Sequence, residues 1–131
     1  IGNKMYFKSL GYGIKLYESD CDINQPGEIL NNSIQAVGSI YTDGIYLYSS
    51  DNYRLIHNSI ESSGSSSLYA STPLVLSYGS MGIKLWNNIF RNIKNGVAIQ
   101  ADSGSIAESF CNGFATNGDF PIYYEIGRAH V

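Results

Sequence analysis

An asparagine recurs inside apolar stretches of this chain. It stands in ILNNSI at 29–34, in LIHNSI at 55–60, in LWNNIF at 85–90 and in FCNGFA at 110–115. Aligned on Asn32, Asn58, Asn88 and Asn112, which are 26, 30 and 24 residues apart, the neighbouring residues fall into columns. Two positions on stands Ile34, Ile60, Phe90 or Phe114, and three positions back Ile29, Leu55 or Leu85, with Ser109 the exception. Four back, every residue is charged: Glu28, Arg54, Lys84 and Glu108. Such alternation describes a strand with one inward and one solvated face. An inward amide left unpaired costs about 1–3 kcal/mol. If the next repeat carries asparagine at the same place, each amide can donate to its neighbour's carbonyl along a stack, so the repetition itself supplies the partner.

A second signature lies between the asparagines: GIKLY from Gly13, GIYLY from Gly44, PLVLS from Pro73, GVAIQ from Gly96 and PIYYE from Pro121. The alternation turns Ile14 and Leu16, Ile45 and Leu47, Leu74 and Leu76, Val97 and Ile99, then Ile122 and Tyr124 inward. Outward stand Lys15, Tyr17, Tyr46, Tyr48, Val75, Ser77, Ala98, Gln100 and Tyr123. The Gly or Pro heading each strand reads as a corner. Repeats of this period, each with two or three short strands, predict an all-β parallel solenoid of about 4 to 5 coils with an asparagine ladder. Asp43-Gly44, Asn95-Gly96, Asn112-Gly113 and Asn117-Gly118 are hairpin dipeptides that would suit an antiparallel sandwich. Two of them, however, head the repeated strand and Asn112 belongs to the ladder, so they read as coil corners. No stretch sustains a helical period.

Composition narrows the partners. Lys and Arg number 8 in a chain of formal net charge -3 and form no basic stripe, so a nucleic-acid footprint is missing. Apolar runs are only a few residues long, which excludes a membrane-spanning helix. With 15% charged residues, 14 Gly and 11 Tyr, the balance is that of an all-β protein. The start at Ile1 reads as a point inside a longer protein. The last six residues, IGRAHV, read as the translation of a widely used sequencing adapter (ATC GGA AGA GCA CAC GTC), which makes 126–131 a non-native read-through tail. The solenoid proper is then residues 1–125, incomplete at both ends and continued by further coils of the parent chain.

From Gly13 to Glu125, the inward aliphatic pair, the corner asparagine, another aliphatic and the Gly-aliphatic-x-aliphatic strand resemble the right-handed parallel β-helix repeat family, the pectate-lyase-like fold. LWNNIFRNIKNGVAIQ is similar in style to large secreted repeat proteins of environmental bacteria. The resemblance implies a right-handed coil, an extracellular or cell-surface location, and a polysaccharide or surface glycan as partner. It is specific for fold and weak for activity, because the fold hosts lyases, hydrolases, epimerases and inert shafts. Enzymes of the family bind polysaccharide on the outer face of the first sheet, taken here as the Gly-Ile-x-Leu strands.

On that face Lys15, Tyr17, Tyr46 and Tyr48 are the candidate carbohydrate contacts, with rings to stack on sugars and hydroxyls to bond them; tyrosine also simply suits an exposed strand. Glu18, Asp20, Asp22, Asp51 and Asp102 follow the same strands. Of these, Asp20, Asp22 and Asp51 are the candidate ligands for a calcium ion, the one cofactor the pattern could serve, with Lys15 as the base of a lyase. Aspartate in such loops more often caps a turn. The paired aspartates, Gly-His-Gly and Arg-x-Lys of polygalacturonases are absent, as are clustered arginines, so no catalytic residue carries over. His57 reads as a corner residue, and Trp86 shares a column with Leu30, Ile56 and Phe110, where packing between coils is expected. Cys21 and Cys111 fall three coils apart, roughly 14 Å at about 4.8 Å per coil, beyond the reach of about 7 Å that a disulfide allows. The leading reading is a structural shaft with a carbohydrate-binding face; the alternative is a polysaccharide lyase or glycoside hydrolase whose catalytic residues lie partly outside the fragment.

Overall fold

A computed structural model describes residues 3–7, 11–37, 42–63, 71–93, 96–117 and 121–125. The tail at 126–131 and most of the serine-rich stretch after Ser62 lie outside the described residues. Fourteen strands are described, and every pairing between them is parallel. They run through three sheets in strict rotation, so the molecule is a parallel β-solenoid. The ladder sheet holds β1 (Lys4–Phe7), β4 (Ser33–Val37), β7 (Ser59–Ser63), β10 (Ile89–Asn92) and β13 (Gly113–Thr116). The tyrosine sheet holds β2 (Gly11–Tyr17), β5 (Thr42–Tyr48), β8 (Leu74–Ser77), β11 (Ile99–Asp102) and β14 (Ile122–Glu125). The charged sheet holds β3 (Gly27–Leu30), β6 (Tyr53–Ile56), β9 (Ile83–Trp86) and β12 (Ile106–Phe110). Counted by strands with a neighbour on both sides, about three turns are enclosed, fewer than the 4 to 5 coils expected; the outermost repeats supply the sheet edges. Among the described residues no helix is long and apolar enough to cross a membrane.

The core is the set of inward residues that the alternation selects. Ile34, Ile60 and Phe90 from the ladder sheet meet Ile45, Leu47, Leu74 and Leu76 from the tyrosine sheet and Ile29, Leu55, Ile83 and Leu85 from the charged sheet, all buried. Phe90 stacks on Phe114 of the next turn at 5.9 Å between centroids. Parallel register places like over like, so each column is a continuous apolar rod that the next turn extends.

Asparagine forms the corner between the charged and ladder sheets. The side-chain amide of Asn32 donates to Asn58 Oδ1 at 2.9 Å, that of Asn58 to Asn88 Oδ1 at 3.0 Å, and that of Asn88 to Asn112 Oδ1 at 3.0 Å. The same Oδ1 atoms accept the main-chain N–H of the preceding asparagine, at 2.9–3.0 Å. The second amide hydrogens of Asn58, Asn88 and Asn112 go back to the carbonyls of Ile29, Leu55 and Leu85. Asn3 joins the line at its start, donating to Asn32 Oδ1 at 3.1 Å; it escaped the sequence alignment although Met5 stands two positions on, as the column requires. The residue before each of the other four members, Asn31, His57, Asn87 and Cys111, lies in the left-handed region at φ 53–57°. That conformation turns the chain through the corner and suits asparagine better than most side chains.

Other polar lines run parallel to this one. At the exit of the tyrosine sheet, Ser19 N–H donates to Ser50 Oγ at 3.1 Å and Ser50 N–H to Ser80 Oγ at 3.0 Å. Glu18, Ser49 and Tyr78, at the corresponding corners, also have positive φ. Between the ladder and tyrosine sheets, Asn92 donates to the carbonyls of Ser71 and Val97, and the Thr116 hydroxyl to that of Gly96.

Two expectations are corrected. Gly13 and Gly44 are not corners: they lie inside β2 and β5, with ordinary φ. Glycine is needed there because a Cβ on Gly13 would come within 2.7 Å of the Gly44 carbonyl and 2.8 Å of Ile34, and one on Gly44 within 2.5 Å of the Pro73 carbonyl and against Ile60. The GVAIQ strand, fourth in the repeated series, is also shifted by two residues. Ile99, Gln100 and Ala101 pair with Leu74, Val75 and Leu76, so Ala98, expected outside, precedes the strand and is 0% exposed. A shift of two keeps the alternation in phase, so Ile99 stays inward and Gln100 outward, and alternation alone could not choose between the two registers.

Candidate functional site

The outer face of the tyrosine sheet collects the residues singled out for carbohydrate contact. Strands β2 and β5 run in register, pairing Lys15 with Tyr46 and Tyr17 with Tyr48. Tyr17 and Tyr48 stack at 4.6 Å between centroids with an interplanar angle of 14°. On the far side of Tyr48, Tyr78 stacks at 4.3 Å and 29°. A second column joins Tyr12 to Tyr46 at 4.8 Å and 47°, and the Ser77 hydroxyl donates to Tyr46 Oη at 3.1 Å. The Lys15 ammonium sits between the columns, 4.9 Å from the Tyr12 centroid and 5.8 Å from that of Tyr17, close enough for cation–π attraction.

This packing changes what the face can do. Both faces of the Tyr48 ring are covered, by Tyr17 from one turn and Tyr78 from another, so that ring cannot lie flat on a sugar. What it presents outward is its edge and hydroxyl. Tyr17 and Tyr78 stay half exposed, at 56% and 51%. Glu18, then Tyr48, pushes the Tyr17 phenol above its ordinary value; burial, then Tyr46 and Asp43, does the same for Tyr12. Both phenols keep their protons at neutral pH and remain hydrogen-bond donors. Tyr12 and Tyr78 belong to this cluster but were not singled out from sequence. Tyr12 precedes the repeated glycine, and Tyr78 occupies a corner column shared with Glu18 and Ser49, where nothing marks it as aromatic.

The carboxylates do not converge. Asp20 Oδ1 accepts the Asp51 N–H at 3.0 Å, Asp51 Oδ1 the Met81 N–H at 2.8 Å, and Asp102 Oδ2 the Gly79 N–H at 3.0 Å. Asp22 Oδ1 closes its own turn on the Asn24 N–H at 2.7 Å. Three of the four therefore tie one turn to another, and among the described residues no group of three or more His, Cys, Asp and Glu side chains is placed to hold a metal ion. The carboxyl with the most altered chemistry is Asp43, at the head of the tyrosine sheet. It is only 8% exposed; burial pushes it up to about 6, against the lowering effect of the Thr72 N–H that it accepts at 2.8 Å. Enclosed in this way, it serves the backbone of the next turn.

The charged sheet carries a second patterned face. Glu28, Arg54, Lys84 and Glu108 stand in one column, and Leu30, Ile56, Trp86 and Phe110 in the next. Arg54 pairs with Glu28 at 3.6 Å and Lys84 with Glu108 at 3.0 Å. Both cations also lie about the Trp86 ring, at 5.7 and 6.0 Å from its centroid. Trp86 thus packs between turns on the outside of the solenoid, and Phe110 is largely open to solvent. His57 is exposed at its corner, and Cys21 and Cys111 are free thiols. Compared with protein-family models, with curated proteins and with solved structures, the chain finds no match in any of the three.

Proposed function

We propose that this chain is a rigid structural segment, a shaft, of a secreted or cell-surface protein, and that its tyrosine sheet offers a shallow contact face to a polysaccharide or surface glycan. The observation that carries this reading is the asparagine line. Its inner members bond to the turns on both sides, so bending or shearing one turn would strand several buried polar groups at about 1–3 kcal/mol each. A device that ties every turn to the next suits load-bearing or spacing. The tyrosine face adds protonated phenols, ring edges and the Lys15 ammonium, a combination that favours a neutral or acidic glycan. Contact is through hydroxyls and edges, because the stacked rings cover one another's faces. Binding is weak, since a sheet face encloses little of its ligand. A lyase or glycoside hydrolase reading has less support: Asp20, Asp51 and Asp102 beside the face are committed to main-chain N–H groups.

The test is a glycan array with the whole chain, followed by titration of any hit against the parent, a Tyr46→Ala/Tyr48→Ala double variant and Lys15→Ala. Loss of binding in the double variant is expected, with Lys15→Ala weakening only acidic glycans. A blank array, or equal binding by the double variant, removes the glycan part of the reading and leaves a solvated strand surface on a shaft.

A further inference from the structure

We propose that Tyr17 and Tyr48 form a site of oxidative cross-linking, at which a haem peroxidase acting with hydrogen peroxide joins the two rings by a carbon–carbon bond between adjacent turns. The reading is independent of glycan binding and rests on the geometry of the pair. Parallel register sets the two residues opposite one another, so both side chains leave the backbone in the same direction, and their rings lie 4.6 Å apart and nearly parallel. Stacked rings on two residues in register bring the carbons ortho to the two hydroxyls within reach of one another. Tyr17 is 56% exposed, within reach of a diffusing oxidant.

The chemistry balances. Each phenol gives up one electron and its hydroxyl proton to become a phenoxyl radical, with unpaired spin on the ortho carbons. The two radicals combine in one new carbon–carbon bond. Each bonded ring carbon then passes its hydrogen to the phenolic oxygen as aromaticity returns. The protein loses two hydrogens in all, and the peroxide, its O–O bond broken, takes them up as two molecules of water. Holding the partners in place makes the coupling effectively unimolecular, which favours it over encounters between chains. Tyr78 also stacks on Tyr48, but its ring is tilted by 29° and it lies past the end of β8 at φ 52°, outside the register that sets Ser77 opposite Tyr48. Tyr17 is the preferred partner. The resulting bridge would weld two turns covalently on the outer face, in line with the polar lines that join them inside.

Dilute protein treated with a haem peroxidase and limiting peroxide should yield a monomer lighter by two hydrogens, with dityrosine fluorescence and a cross-linked peptide pair carrying Tyr17 and Tyr48. That monomer should resist urea better than the untreated protein. Tyr48→Phe, which keeps the stack but lacks the phenol, should lose the product; so should Tyr17→Phe, at an exposed position where folding is not at risk. Tyr12→Phe should leave the yield unchanged. Cross-links found only between chains, a bridge mapped to Tyr48 and Tyr78, an undiminished yield in either the Tyr17 or the Tyr48 variant, or no dityrosine at all would each overturn the proposal.

Discussion

Asn58 donates two hydrogen bonds to Asn88: Asn88 Oδ1 accepts both the side-chain amide of Asn58, at 3.0 Å, and its main-chain N–H, at 2.9 Å. Asn58 Oδ1 does the same for Asn32. A buried amide in this position uses both its hydrogens and both its lone pairs, so the line has no slack.

Asn58→Ala should therefore remove the acceptor for two donors of Asn32 and the donor to Ile29 and Asn88. We expect a loss of about 3 kcal/mol, several stranded groups at about 1–3 kcal/mol each being offset by local relaxation. Glu61→Ala, which breaks only exposed contacts to Gln35 and Arg91, should cost less than about 1 kcal/mol. Urea unfolding of the two variants decides; equal midpoints would contradict the role given to Asn58.

Gly44→Ala should be strongly destabilising, by about 1–3 kcal/mol or more, because the new methyl meets a main-chain carbonyl and the Ile60 side chain inside the core. Gly113→Ala should be nearly neutral, since its nearest contact would be Ile89 at 3.8 Å. Thermal melts of the pair would distinguish close packing from a turn requirement, which would make neither substitution special.

Asp43 makes stability depend on pH in an unusual sense. Its folded pKa of about 6 exceeds the ordinary 3.8, so the protonated form is favoured by folding. The contribution is fully present below the unfolded value and is lost as pH rises through the folded one. Asp43→Asn keeps an oxygen to accept the Thr72 N–H and carries no charge. It should match the parent near pH 4 and exceed it near pH 8 by about 1–3 kcal/mol, from roughly 1.4 kcal/mol per pH unit. A stability difference that does not change across that range would show that Asp43 ionises without penalty.

Cys111 occupies a left-handed corner, at φ 53°, where the equivalent residues in other turns are Asn31, His57 and Asn87. Asparagine tolerates that conformation better than cysteine does, so Cys111→Asn should stabilise the chain by about 0.5–1 kcal/mol. The thiol is exposed and free, and nothing is lost with it. A lower denaturation midpoint for the variant would argue against corner strain as the reason for asparagine here.

The architecture was legible in the chain because each ladder asparagine needs a partner that only an equivalent residue in the next turn can provide. Asn32, Asn58, Asn88 and Asn112 at similar spacings leave a parallel stack as the arrangement that satisfies them all. Strict alternation around them then assigns Ile34, Ile60 and Phe90 to the core. The same reasoning reaches the neighbourhood of Tyr17 and Tyr48, since register in a parallel sheet places one above the other. It stops where local pattern is ambiguous or where contacts come from outside the repeat. Pairing either Val97 or Ile99 with Leu74 gives the same alternation, and only the tertiary register set Ile99 there. Gly13 and Gly44 look like turn residues until Ile34 and Ile60 from another sheet press against them. Tyr12 and Tyr78 enter the face from outside the repeated signature, and Tyr78 covers the ring of Tyr48. What the tyrosines expose is therefore a matter of three turns stacked together: a ring's free surface depends on its neighbours along the axis, and those are 30 or so residues away in the chain.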